Sequence, residues 1–218
     1  MKGMNVEIWS DIACPWCAVG KRRFEKALAD FDRREDVTVT WRSFELDPQA
    51  PAERPGDRDA HLAAKYGMSV EQAREMHDVM TETAAGEGLD FRFQKARSGN
   101  TFDAHRITHL AAAHGRQDEM NERLLIAHFT EGELVSDHAT LRRLALEAGL
   151  PEDEIDETLA SDRYAEEVRG DEATARALGI GAVPTFVVDR RLGVSGAQPP
   201  ELLGQLLARG LEDEPQPR

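Results

Sequence analysis

Val6-Glu7-Ile8-Trp9-Ser10-Asp11-Ile12-Ala13-Cys14-Pro15-Trp16-Cys17 is the stretch on which the reading of this chain turns. Val6 to Trp9 reads as a short strand, and Ala18 to Asp30 as a helix. Cys14 and Cys17 stand at the junction and are the only cysteines in 218 residues. A helix N-terminus offers unpaired backbone N–H groups and the positive end of the macrodipole. That environment stabilises a thiolate, the nucleophile of disulfide exchange. The C-x-x-C spacing puts the second sulfur within reach of the first, so Cys17 can resolve a mixed disulfide formed at Cys14. Pro15 suits the first helical turn, where a missing N–H costs little. Two other readings are weaker. A structural zinc site needs four nitrogen or sulfur ligands, and there is no second cysteine pair. A structural disulfide between such near neighbours would constrain little of the chain.

Composition narrows the function classes. Formal net charge is −14, from 41 acidic and 27 basic residues. That balance argues against a nucleic-acid or anionic-membrane partner, since both demand basic surface. Hydrophobic residues make up 40%, enough for a core. No stretch approaches the ~20 apolar residues of a membrane span. No apolar run of the signal-peptide kind follows Met1-Lys2-Gly3-Met4-Asn5. The expected compartment is cytoplasmic, where a thiol pair rests mostly reduced.

Val37-Thr38-Val39-Thr40-Trp41-Arg42-Ser43-Phe44 alternates with period two and forms the second strand candidate. Pro48, Pro51 and Pro55 then mark an irregular exit from the sheet. From about 57 to 165 the expectation is almost wholly helical. Ser69 and Gln72 fit a capping box, and Val70, Ala73, His77, Met80 and Ala84 follow at helical spacing. Met76 and Met80 are read as core filler. Phe102 to His114 and Glu119 to Phe129 are further helices. Ser136 or Asp137 caps the next, Pro151 opens another, and a sixth runs from about Asp162 to Leu178. Thr185-Phe186-Val187-Val188 returns to strand, a tight turn spans Asp189 to Arg191, and Leu192 to Ser195 is its partner. Pro199-Pro200 starts a final helix, and residues 212–218 are expected to fray.

The order is β-α-β, a helical block, then α-β-β-α, which without the block is the order of thioredoxin. The expected fold is therefore α/β, a thioredoxin fold with a large α-helical insertion after the second strand. Residues 1–56 plus 166–218 form the thioredoxin-like domain, and 57–165 the inserted one. Val183-Pro184-Thr185 precedes the third strand. An X-Pro bond can be cis at modest cost, and a cis Val183–Pro184 bond set against the cysteines is expected.

Asp11-Ile12-Ala13-Cys14-Pro15-Trp16-Cys17, Phe44-Glu45-Leu46-Asp47-Pro48, Asn100-Thr101-Phe102-Asp103-Ala104-His105-Arg106 and Gly181-Ala182-Val183-Pro184-Thr185-Phe186 together resemble the DsbA family, in its FrnE-like branch. Ser195-Gly196-Ala197-Gln198 closes the match, which spans about residues 4–209. The resemblance implies dithiol–disulfide exchange, with Cys14 attacking and Cys17 resolving. It also implies a substrate-binding surface, to which Pro15, Trp16, Val183, Pro184, Asn100 and His105 are assigned. Related 2-hydroxychromene-2-carboxylate isomerases and kappa-class glutathione transferases typically carry serine where this chain has Cys14.

The expected function is a thiol–disulfide oxidoreductase exchanging disulfides through the CPWC dithiol. Cys14 is expected to be the exposed, reactive thiol and Cys17 the buried one. Glu45 is a candidate acid that moves protons under the cysteines and Asp11 a candidate for tuning Cys14 electrostatically, although a solvated strand end and a loop cap explain them as well. His105 and His109 stand i, i+4, with no third ligand evident, so no metal is expected. The chemistry requires no cofactor, and glutathione is a candidate co-substrate. Substrates would be protein or small-molecule disulfides or dithiols, recycled by an unidentified redox partner. The alternatives are a glutathione-dependent isomerase or transferase acting on a small aromatic, and a chaperone-like binding protein.

Overall fold

The computed structural model describes residues 3–212; the part of the expected frayed tail beyond Glu212 lies outside the described residues. The elements are β1 (Met4–Ser10), α1 (Pro15–Ala29), β2 (Val37–Ser43), α2 (Arg58–Tyr66), α3 (Val70–Gly86), α4 (Phe102–Ala113), α5 (Gln117–Ile126), α6 (His138–Glu147), α7 (Glu152–Ala160), α8 (Ala165–Ala177), β3 (Thr185–Val188), β4 (Leu192–Ser195) and α9 (Pro200–Glu212). The chain divides into two compact units, Met1–Phe44 with Arg169–Arg218, and Glu45–Val168. Among the described residues no helix is long and apolar enough to cross a membrane.

In the first unit the strands lie in the order β2-β1-β3-β4. β1 runs parallel to β2, from Met4↔Val37 to Ser10↔Ser43. Parallel neighbours need a crossover, and α1 supplies it. β3 is antiparallel to both β1 and β4. Asp189 and Arg190 take positive φ, 48° and 53°, in the turn between β3 and β4, and Asp189 Oδ1 accepts the Asn5 N–H at 2.9 Å. This is the mixed sheet of a thioredoxin-like fold, with the helical insertion following β2.

Central β1 is buried at every position except half-buried Asn5, with apolar side chains at Met4, Val6, Ile8 and Trp9 and polar Glu7 and Ser10 among them. Met4, Val6 and Ile8 pack with Phe24, Ala27, Trp41, Phe186, Val188, Leu203, Leu206 and Leu207. Burying each large apolar side chain stabilises by about 1.5–3 kcal/mol. Phe24 of α1 stacks on Phe186 of β3 with ring centroids 5.5 Å apart. Trp9 points to the other face, with Ala175 and Val187. Its indole Nε1 donates to the Asp171 carbonyl at 3.1 Å. The Asp171 carboxylate accepts from the Ser43 N–H at 2.9 Å and from Arg42 at 3.1 Å, fastening α8 to the end of β2. Glu7 is wholly buried, and Arg42 and Arg190 hold its carboxylate at 2.7–3.0 Å.

In the second unit α4 is the central helix, burying Ala104, Ile107, Leu110 and Ala111. Arg106 is buried there, although its residue type favours the surface. It donates to the carbonyls of Thr158, Ser161 and Arg163, and at 2.8 Å to Asp103. Those carbonyls belong to the C-terminal end of α7 and the loop after it, and one planar guanidinium satisfies them.

Several sequence expectations need correction here. The span 87–101 is not helical: Phe91-Arg92-Phe93 alternates with period two, and Phe91 and Phe93 pack on Phe129. Arg54 pairs with Ser98 in an isolated antiparallel bridge. α8 begins at Ala165 rather than Asp162, because Tyr164 has φ 66° and breaks the helical path. The helix expected to end at Phe129 passes instead into a π-turn at Ala127–Glu131. Met80 is core, but Met76 is 47% exposed, since it falls off the buried strip of α3. The capping box at Ser69 and Gln72 is formed in both directions, at 3.1 and 2.9 Å.

Candidate active site

β1 ends at Ser10, and the chain turns into α1 by the Cys14 N–H donating to the Asp11 carbonyl at 3.1 Å. Cys14 is the N-cap residue of α1 with extended backbone, and Pro15 occupies the first turn. The Cys17 N–H donates to the Cys14 carbonyl at 3.0 Å. This single turn carries both thiols, which lie 3.4 Å apart and are unbridged. Trp16, between them, is 45% exposed.

The expectation of an exposed Cys14 is corrected. Cys14 is 5% exposed and Cys17 0%. The Val183 carbonyl lies 3.6 Å from Cys14 Sγ and receives its thiol hydrogen. Burial pushes the Cys17 thiol well up, and the neighbouring Cys14 sulfur raises it further through a hydrogen bond and its charge. Hydrogen bonds from Ser10 and from the Asp11 backbone pull in the opposite direction without overcoming this. Asp11 also accepts the Ala13 N–H at 3.3 Å, shaping the turn.

Opposite the cysteines, the Val183–Pro184 peptide is cis. β3 begins pairing with β1 at Thr185↔Trp9, so Val183 and Pro184 lie just outside the ladder. Their loop is held from the other side. The Pro184 carbonyl accepts the Gly196 N–H at 2.7 Å. Thr185 Oγ1 donates to the Ala182 carbonyl at 2.7 Å and lies 3.0 Å from Ser195 Oγ.

Gly20 was not singled out by the sequence. It sits on α1 three residues beyond Cys17, and a Cβ there would stand 2.8 Å from Pro184 Cγ and 3.4 Å from Phe186 Cζ. Glycine inside a helix costs about 1 kcal/mol against alanine. The close approach of proline to helix is the compensation, and a buried mid-helix glycine is the signal that could have found it.

The structure thus gathers Cys14, Pro15, Trp16, Cys17, Val183 and Pro184 within the first unit. Asn100 and His105 belong to the second. Asn100 Oδ1 accepts the Phe102 N–H at 2.8 Å, and its Nδ2 lies 3.5 Å from Glu45 Oε1. Glu45 is buried beside half-buried Asn100 rather than solvated. His105 is 4% exposed on α4, and the His109 ring stacks on Tyr164. Among the described residues no group of three or more His, Cys, Asp or Glu is placed to hold a metal ion.

A sheet of this order, with a cysteine pair at the head of α1 and a proline loop opposite, is the arrangement of a thioredoxin-fold disulfide oxidoreductase. The chain belongs to the DSBA-like thioredoxin domain family, whose model matches residues 5–208. It is 46% identical to a probable DsbA oxidoreductase from Streptomyces coelicolor, with a TM-score of 0.94 covering 99% of this chain and 93% of that one. The uncharacterized protein YwbO of Bacillus subtilis is 28% identical over 189 residues, 85% of this chain and 86% of that protein. The cytosolic disulfide reductase DsbM of Pseudomonas aeruginosa shares the fold at 18% identity, with a TM-score of 0.67 covering 95% and 98% of the two chains.

Proposed function

We propose that this protein is a cytoplasmic thiol–disulfide oxidoreductase of the FrnE-like branch, working through the Cys14–Cys17 dithiol. The observation that carries the reading is the pair of thiols 3.4 Å apart on the first turn of α1, with the Val183 carbonyl 3.6 Å from Cys14. Cys14, as thiolate, attacks one sulfur of a substrate disulfide. A Cys14–substrate bond forms, the substrate S–S bond breaks, and one substrate thiolate leaves. Cys17 then loses its proton and attacks Cys14 Sγ, releasing the second substrate thiolate. The substrate gains two electrons, and the protein holds them no longer, ending as a Cys14–Cys17 disulfide. The reverse sequence oxidises a substrate dithiol.

The raised Cys17 thiol fits this order of events. Part of its elevation comes from the charge of Cys14. Once Cys14 is in a mixed disulfide that charge is gone, so Cys17 ionises more readily when it must resolve. The Ser10 and Asp11 hydrogen bonds then favour its thiolate. Val183 and Pro184 lie outside the sheet ladder and suit an extended substrate segment. Trp16 offers an exposed aromatic face beside the nucleophile.

DsbM of Pseudomonas aeruginosa has also been solved with GSH, which supports glutathione as a candidate co-substrate or reductant here. Reduction of insulin disulfides tests the reading. Wild-type protein should be active, Cys14→Ser inactive, and Cys17→Ser should accumulate a mixed disulfide. Activity retained in Cys14→Ser would reject the dithiol mechanism. Isomerisation of a small aromatic by a protein inert towards disulfides would favour the glutathione-dependent isomerase.

A further inference from the structure

Val183 is bracketed by two carbonyls that the β3–β4 edge holds, and all the residues involved belong to the first unit. On one side the Pro184 carbonyl accepts the Gly196 N–H at 2.7 Å. On the other, Thr185 Oγ1 lies 2.7 Å from the Ala182 carbonyl and 3.0 Å from Ser195 Oγ. A hydroxyl carries one hydrogen, and a carbonyl can only accept. The Thr185 hydrogen therefore goes to Ala182, and Ser195 donates its own to Thr185. Ser195 is fixed in turn. It stands directly across from Thr185 in the ladder, and its carbonyl accepts Gln198 Nε2 at 2.7 Å.

A threonine that closes a turn at a strand entrance is common. This one holds a segment with little else to hold it. Among the described residues Ala182 and Val183 make no backbone–backbone hydrogen bond. Apart from the Thr185 contact, the segment meets Cys14 Sγ, 3.6 Å from the Val183 carbonyl. Thr185 itself has no such freedom. It is 6% exposed, and its backbone sits in the ladder between Trp9 and Ser195. Branching at Cβ restricts its χ1 as well. A rigidly placed hydroxyl thus fixes a segment that faces the nucleophile.

We propose that Thr185 is the positioning residue that holds the Val183 backbone in register for an extended polypeptide disulfide, with Ser195 steadying it. The exchange reading above supplies the reaction, and this assignment rests on it. Thr185 touches no reacting atom and acts through Val183. Among the described residues the Val183 N–H has no partner, so it is open to pair with an extended segment. A small disulfide has no such backbone to pair and is indifferent to Thr185.

Thionitrobenzoate joined by a disulfide to free cysteine, or to the central cysteine of an extended peptide, gives two probes with one leaving group. The Cys14 thiolate attacks the probe's cysteine sulfur, a Cys14–cysteine bond forms, and thionitrobenzoate leaves with the electron pair. Release is followed in single turnovers with excess reduced protein. Thr185→Val keeps the shape and loses the hydroxyl. It should raise the half-saturating concentration for the peptide probe about 5-fold, the scale of one hydrogen bond, with the limiting rate little changed. Release from the cysteine probe should not slow. Thr185→Ser restores the hydroxyl and should recover the wild-type half-saturation. Ser195→Ala, at an exposed position, should shift it in the same direction by less. Iodoacetamide should label Cys14 faster in reduced Thr185→Val than in wild type, a readout that needs no substrate.

Equal losses with the two probes, an unchanged half-saturation in Thr185→Val, or no recovery in Thr185→Ser would overturn the positioning role. Should Thr185→Val not fold, a Ser195→Ala protein with wild-type half-saturation and labelling would overturn it. A wild-type protein that releases thionitrobenzoate from neither probe would reject the exchange reading, and with it the substrate register. Faster labelling of Thr185→Val would then leave the clamp on the loop standing.

Discussion

The Val183 carbonyl lies 3.6 Å from Cys14 Sγ and, with its loop, leaves that residue only 5% exposed. In the exchange we propose, the substrate reaches Cys14 along the edge of the Val183–Pro184 segment rather than on an open surface. Cys17 is sealed altogether, and its thiol is pushed well up by burial and by Cys14. With iodoacetamide at neutral pH, Cys14 should take the label and Cys17 remain unlabelled until the protein is denatured. Peptide mapping by mass spectrometry checks this. Equal labelling of both in the native protein would contradict the assignment.

Gly20 and Pro184 set the spacing between α1 and the loop. A methyl group at position 20 would meet Pro184 Cγ at 2.8 Å. Gly20→Ala gains about 1 kcal/mol of helix propensity but incurs overpacking of about 1–3 kcal/mol. We expect a small net loss of stability and a much larger loss of disulfide turnover, because the loop beside Cys14 must shift. Unchanged turnover in a folded Gly20→Ala protein would show that the spacing is not critical.

Glu7 links the sheet to pH. Burial pushes its carboxyl up, but hydrogen bonds from Arg190 and Arg42 outweigh this and hold it below its ordinary value of 4.5. A carboxyl lowered in the folded state contributes stability above its unfolded pKa and loses it as pH falls through the folded value. Glu7→Gln should be less stable than wild type by about 1–3 kcal/mol at neutral pH. The gap should narrow as pH falls below the ordinary carboxyl value of 4.5 and on through the lowered folded value of Glu7. Urea melts across that range measure it. A gap constant with pH would remove Glu7 from the account.

Arg106 serves three carbonyls and Asp103 in the second unit. Arg106→Lys supplies one ammonium in place of a fork and leaves several acceptors unmet. It should lower the unfolding free energy, read from denaturant melts, by at least ~2 kcal/mol. A stability within experimental error of wild type would mean that water replaces the guanidinium.

Local signals were legible without a structure. The strand before Cys14, the proline after it, the Ser69 capping box and the Asp137 cap each act over a few residues, so their sequence neighbours suffice to reveal them. The same holds for the redox pair, since its chemistry and its spacing lie on one helical turn. The span 87–101 was misread because Phe91 and Phe93 obey the period of an extended segment within a mostly helical stretch.

What only the tertiary structure decided depends on residues distant in the chain. The order β2-β1-β3-β4 joins β1 to a strand about 180 positions later, a pairing that backbone hydrogen bonds permit but no local pattern encodes. Glu7 looks like a solvated strand residue until Arg42 from β2 and Arg190 from the β3–β4 turn make its burial tolerable. Gly20 has a reason only once Pro184 rests against it, and Cys14 is covered only once the Val183 carbonyl is in place. The dithiol of the proposed exchange was thus legible in four adjacent residues, while the shape of its surroundings came from close packing, which acts on whatever the fold brings together.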